Sequence, residues 1–182
     1  MLCRAFRSGF LILVLLTIPI VAHDSLYHYI EISSPRNGEG AEIAFSIHAA
    51  DLESARALGA DPAGTDLAWL QNRTAAELAP LLLEARAFLA NHFHLQIRGE
   101  TVSLDESLAF PETGALATGE GAARPGFLVG TLQLPPGAAE VELLHAPTSG
   151  KRLMVVLNCP RAFPEVRDLA PGEKTTIPLS KP

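Results

Sequence analysis

The chain has 182 residues, with 14 Lys and Arg against 20 Asp and Glu, and a formal charge of −6 when its histidines are neutral. An acidic chain without a basic cluster is poorly suited to bind a nucleic-acid backbone or an anionic lipid surface. Its length is sufficient for one domain with a substantial hydrophobic core.

Residues 1–22 are predicted to be a secretory signal peptide. Arg4 and Arg7 supply a positive amino-terminal region, and residues 10–22 carry no formal charge. This uncharged run is shorter than the roughly 20 apolar residues of a transmembrane helix, but it suits the core of a signal peptide. We therefore expect cleavage after Ala22, export to the periplasm or the cell exterior, and no stable membrane span after cleavage. An uncleaved membrane anchor is the alternative.

Two alternating segments follow the predicted cleavage site. In SLYHYIEI, His28 shares a face with Ile30 and Ile32, and in AEIAFSIHA, Phe45 lies on the inward face while His48 points outward. Such alternation indicates strands, and the turn-forming SPRNGEG between them predicts a hairpin. At its apolar position His28 is expected to be a hydrogen-bonded core histidine.

The periodicity becomes helical between residues 51 and 91, where we predict an insertion. Asp51 can cap a short helix that Gly59 ends. Farther along, Thr74 and Glu77 match a capping box, and six apolar residues recur on one helical face: Leu78, Leu81, Leu82, Ala85, Phe88 and Leu89. Pro80 has no N–H and is unfavourable inside a helix, so a start near Ala79 is the alternative.

The rest of the chain is predicted to form strands. HFHLQIRGETVSL indicates a hairpin, residues 112–126 indicate a loop, and FLVGTLQL, EVELLHA and LMVVLN indicate three strands before a last edge strand that ends near Pro178. Strands do not alternate with helices, which disfavours a parallel α/β fold. We predict a mainly β, antiparallel, Ig-like β-sandwich over residues 23–182, with a small helical insertion between the second and third strands.

Recognised catalytic motifs are absent from the sequence, including the Gly-x-Ser-x-Gly elbow, His-Glu-x-x-His, the phosphate loop and the dinucleotide glycine fingerprint. The acidic residues are scattered, as on a solvated surface. We therefore expect a non-enzymatic accessory or binding protein that needs no cofactor and recognises an unknown protein or small ligand.

The histidines provide an alternative function. After cleavage, His23 would offer an α-amino group and an imidazole, a pair that suits Cu(II). His92 and His94 would project from one strand face roughly 6.5 to 7 Å apart, and the outward His48 could join them. The alternative is a periplasmic copper- or nickel-binding protein that uses His23, His92, His94 and His48. Solvated polar positions, or a cation at a helix end for His92, are the competing interpretation.

The order of these features resembles that of other exported proteins. A predicted Ala-His cut, DLESA after the second strand and FLANHFHL at the helix-to-strand junction resemble a family of small bacterial exported proteins of unknown function. The chain is also similar to the N-terminal extracytoplasmic part of hydrogenase/urease accessory membrane proteins, which are linked to nickel uptake. The resemblance spans roughly His23 to Leu104 and matches His92 but not His94. The membrane bundle of those proteins is missing, so the resemblance does not imply transport.

Overall fold

The computed structural model describes residues 27–33, 40–61, 67–110, 127–158 and 163–179. The predicted signal peptide, His23 and the loop at 112–126 lie outside these residues. The described strands are β1 Tyr27–Ser33, β2 Glu42–His48, β3 Phe93–Ile97, β4 Glu100–Val102, β5 Phe127–Gln133, β6 Glu140–His145, β7 Arg152–Asn158, β8 Glu165–Leu169 and β9 Lys174–Pro178. The described helices are α1 Glu53–Ala57, α2 Leu67–Gln71, α3 Ala75–His92 and α4 Leu104–Ser107, and a 3-10 turn spans Ala49–Asp51.

These strands form two sheets. One has the order β5-β2-β1-β7-β8 and the other has the order β4-β3-β6-β9. Neighbouring strands are antiparallel except β1 and β7, which run parallel with His28 opposite Leu153 and Ile32 opposite Leu157. The mainly β prediction is confirmed. The expectation of a wholly antiparallel arrangement is wrong at this one pair, where β7 lies beside β1 on the side away from β2 and runs in the same direction as β1.

The alternating residues of both sheets form one core. Ile30, Phe45 and Val155 of the five-stranded sheet are buried in the same cluster as Leu95 and Leu143 of the four-stranded sheet. Removing such side chains from water is the main stabilising term in folding. The rings of Phe45 and Phe93, which belong to different sheets, lie 6.0 Å apart between centroids.

The helical insertion lies between β2 and β3, as predicted. The Thr74–Glu77 capping box is present at the start of α3, and Pro80 lies inside that helix. The alternative start near Ala79 is therefore wrong. Leu81, Ala85 and Leu89 are buried along α3, and this packing offsets the backbone hydrogen bond that Pro80 cannot make. The short helix α4, which follows β4, was not predicted from the sequence.

A carboxylate from α3 caps the preceding short helix α1. Oε1 of Glu84 accepts a hydrogen bond from the Glu53 amide at 2.6 Å, and Oε2 accepts one from the Ser54 amide at 2.8 Å. The Ser54 hydroxyl also donates to Glu84. Glu84 thereby satisfies amides that have no partner within α1 and joins the two helices.

No helix in the described part of the chain is both long and apolar enough to cross a membrane.

Candidate functional site

Three histidines from different elements meet at one end of the two sheets. His28 comes from the amino-terminal end of β1, His92 ends α3, and His145 ends β6. The His28 ring centroid lies 5.5 Å from that of His92 and 6.0 Å from that of His145. We call these three residues the histidine cluster.

Phenylalanine rings surround the histidine cluster. Phe88 and Phe93 contact His28 edge-on, with ring centroids 5.3 and 5.6 Å away. The Phe88 ring stacks on His92 at 4.1 Å, and the Phe93 ring stacks on His145 at 5.7 Å. The two stacked pairs hold the imidazoles in an apolar environment at the junction of α3 and β3.

His145 is fully buried and lacks hydrogen-bond partners. Neither of its ring nitrogens has a partner within hydrogen-bonding geometry. Burial lowers the pKa of His145 and outweighs the carbonyl groups of Ala170 and Leu169, which lie near the ring and favour its protonated form. A buried side chain in this state is uncommon and calls for a physical explanation, such as a bound water or ion.

His28 is held neutral near neutral pH. Burial is the main cause that lowers its pKa from 6.5 to about 3, and the charge of Lys151 and the imidazoles of His92 and His145 lower it further. The Lys151 ammonium is paired with Asp51, with Nζ 2.7 and 2.6 Å from the two carboxylate oxygens. This ion pair places one cation and one anion beside the histidine cluster.

The residues of the predicted metal set are distributed differently. Of His23, His92, His94 and His48, only His92 belongs to the histidine cluster, and His23 lies outside the described residues. His94 is exposed on β3. His48 lies on the face of β2 opposite Phe45, as predicted, but it is only 9% exposed because it packs against Phe127, with ring centroids 5.0 Å apart.

Two members of the histidine cluster were not proposed as site residues from the sequence. The burial of His28 agrees with its apolar register position, and His145 follows the inward residues Val141 and Leu143 at the same two-residue spacing. A histidine at an inward strand position was therefore the available signal. That these strands bring their histidines to the end of α3 follows only from the tertiary pairing.

The imidazole nitrogens of the histidine cluster do not converge on one position. In the described ranges, no group of three or more His, Cys, Asp or Glu side chains is arranged to hold a metal ion.

A cavity of about 610 Å³ opens elsewhere, where edge strand β4 of one sheet approaches edge strand β5 of the other. Its size is within the range of small-molecule sites, roughly 300–1,000 Å³. The lining combines apolar and polar side chains: Ile97, Arg98, Glu100, Thr101, Val102, Ser107, Ala109, Thr131, Leu132, Gln133 and Pro135.

The cavity has supported walls. Ala109 and Thr131 exchange backbone hydrogen bonds of 2.8 and 2.7 Å, which tie the segment after α4 to β5. Gly130 allows Phe110 to pack closely there, because a Cβ at this position would lie 2.9 Å from the Phe110 ring. The Arg86 guanidinium lies over the Phe110 ring, 5.1 Å from its centroid. The wall beside β5 is thus preformed.

Two opposite charges belong to the cavity lining. Arg98 and Glu100 flank Gly99 in the turn between β3 and β4. Arg98 donates one long hydrogen bond, 3.4 Å, from Nη2 to the Pro136 carbonyl. A guanidinium has five N–H donors, so Arg98 retains donors for a carboxylate while Glu100 can accept from an ammonium group.

Comparison of the chain with protein-family models, with curated proteins and with solved structures found no match.

Proposed function

We propose that this chain is an exported, non-enzymatic binding protein with an Ig-like β-sandwich fold, and that it holds a small zwitterionic molecule of the amino-acid type. The cavity between β4 and β5 carries this proposal. Its apolar floor suits a short side chain, while Arg98 and Glu100 at the turn complement a carboxylate and an ammonium group. The predicted signal peptide supports export to the periplasm or to the cell exterior.

The acidic composition supports a small ligand over a nucleic acid as the partner. Two observations support a non-enzymatic role. The sequence has no recognised catalytic motif, and the cavity lining has one carboxylate, Glu100, and no histidine or cysteine. Accessory binding proteins need affinity and selectivity, to which a preformed wall and two opposite charges contribute.

A thermal-shift screen tests this proposal. The probes are the standard free L-amino acids, and the readout is the melting temperature of the processed protein. We expect at least one amino acid to raise the melting temperature through preferential binding to the folded state. Ser107→Trp places a large ring at the cavity lining and is expected to remove the shift.

Leu83→Trp is the matched control. Leu83 is 72% exposed on α3, so its replacement adds the same ring away from the cavity. The shift should persist in this variant. A screen in which no amino acid raises the melting temperature, or in which Ser107→Trp keeps the full shift, would reject the cavity as an amino-acid site.

A further inference from the structure

We propose that the histidine cluster, His28, His92 and His145, binds one divalent transition-metal ion, with Cu(II) bound more tightly than Ni(II). This site goes beyond the proposed small-molecule function, because it shares no residue with the cavity between β4 and β5. It also differs from the histidine set predicted from the sequence, with which it shares only His92.

The ring separations suit a shared ion. A metal-bound imidazole nitrogen lies about 2.0–2.1 Å from the ion, so the centroids of two rings on one ion are at most roughly 6.4 Å apart. The observed separations from His28 are 5.5 Å to His92 and 6.0 Å to His145. Two of the three ring pairs are therefore already at separations that one ion can bridge.

Two of the rings have a nitrogen atom that is available to bind a metal ion. Nδ1 of His92 lies 2.7 Å from the Phe88 carbonyl oxygen, which makes Nδ1 the protonated nitrogen and leaves Nε2 as the ligand. A metal-binding histidine commonly donates its second N–H to such a carbonyl. Neither nitrogen of the buried His145 has a partner in hydrogen-bonding geometry, although the Ala170 and Leu169 carbonyls lie near the ring, and a bound ion would give one nitrogen a partner.

The charges around the histidine cluster are compatible with a cation. Neutral imidazole is the form that binds a metal. The charge of Lys151 acts on His28, and Asp51 neutralises Lys151 through a bidentate pair. An incoming ion would thus meet no unpaired positive charge at Lys151.

Binding requires the rings to rotate. The nitrogens do not converge in the present arrangement, so the imidazoles must turn toward a common point when an ion binds. Three imidazoles form an all-nitrogen donor set, for which copper ranks above nickel and zinc in the general order of divalent affinities.

The test is a titration of the processed, metal-free protein with Cu(II) against a competing chelator, with copper electron paramagnetic resonance as a second readout. We expect one tightly bound Cu(II) per chain and a spectrum with nitrogen ligands. His28→Leu and His92→Gln should each weaken binding by at least about tenfold, the loss that even an outer-shell substitution typically causes.

His94→Gln is the matched control, because His94 is exposed on β3 two residues after His92. It should leave the affinity unchanged, and so should Ser107→Trp in the cavity, which separates this proposal from amino-acid binding. His92 is half-buried, and thermal unfolding of His92→Gln verifies that this variant folds.

A second control addresses the amino terminus. His23→Ala removes the imidazole that an amino-terminal histidine would supply and should not change the affinity. Loss of binding on this substitution would assign the copper to the terminus and overturn the proposal. Wild-type protein that binds no Cu(II), or His28→Leu and His92→Gln variants that both bind as wild type, would also overturn it.

Discussion

The His92 imidazole is fixed by Phe88, one helical turn earlier. Its Nδ1 atom lies 2.7 Å from the Phe88 carbonyl oxygen, and the two rings stack with centroids 4.1 Å apart. The last turn of α3 therefore orients the histidine toward His28 on β1, with the ring centroids 5.5 Å apart. A helix end thus positions one side chain of a cluster whose other members come from two strands.

Replacing Lys151 with methionine is expected to raise the pKa of His28. The Lys151 charge lowers that pKa, and its removal also leaves Asp51 unpaired, which favours imidazolium in the same direction. Titration of the His28 ring signals by NMR measures the change. Arg152→Gln, which breaks an exposed ion pair with Asp168, is the control and should leave His28 near its wild-type value.

His28 is expected to make the metal-free protein sensitive to acid. Its pKa is about 3 in the folded state against 6.5 ordinarily, so between these values the unfolded chain binds more protons. The contribution of neutral His28 to the free energy of unfolding is complete above pH 6.5 and decreases as the pH falls toward 3. Over the first two pH units below 6.5, the free energy of unfolding should decrease by on the order of 2–3 kcal/mol because of His28.

Urea unfolding in the presence of a chelator, near neutral pH and near pH 4.5, measures this dependence. His28→Leu cannot titrate and should show a shallower decrease in the free energy of unfolding. Carboxylates contribute equally to both proteins, so the difference between the slopes isolates His28. Parallel slopes would contradict the assignment.

Glu84→Ala is expected to destabilise the protein by about 1 kcal/mol, the typical effect of removing a helix cap. The variant loses the acceptors for the Glu53 and Ser54 amides and the link between α3 and α1. Chemical denaturation gives the free energy of unfolding. Glu140→Ala, at an exposed position of β6, is the control and should change stability by less than about 0.5 kcal/mol.

Gly40→Ala is expected to destabilise the protein by about 1–3 kcal/mol, the range of an overpacked site. A Cβ at Gly40 would lie 1.8 Å from the Leu134 carbonyl oxygen, and Leu134 is held there by a 2.8 Å hydrogen bond to Ala41. Gly150→Ala is the matched control, because nothing lies within 4 Å of its added methyl group. Equal melting temperatures for the two variants would refute this steric account.

Local patterns predicted the elements better than their assembly. Alternation identified β1 and β2, and the Thr74–Glu77 pair identified the start of α3, because these features depend on neighbours in the chain. Only the alternative start near Ala79 is wrong, since burial of Leu81 and Leu89 compensates for the hydrogen bond that Pro80 cannot make. Tertiary packing overrode a local preference there.

The candidate sites depend on long-range pairing that local patterns do not encode. The parallel register of β1 and β7 brings His28 next to Leu153, and the pairing of β3 with β6 puts Phe93 opposite His145. The histidine cluster results from these two registers and the end of α3. Likewise, the cavity forms because α4 and the Ala109–Thr131 bridge join the edges of different sheets.

Amide chemical shifts, recorded during titration with the amino acid that raises the melting temperature most, test for an amino-acid site between β4 and β5. We expect the amide signals of Arg98, Thr101 and Thr131 to shift first and to saturate together. Saturable shifts confined to residues away from the cavity, or no saturable shift with any amino acid, would contradict it.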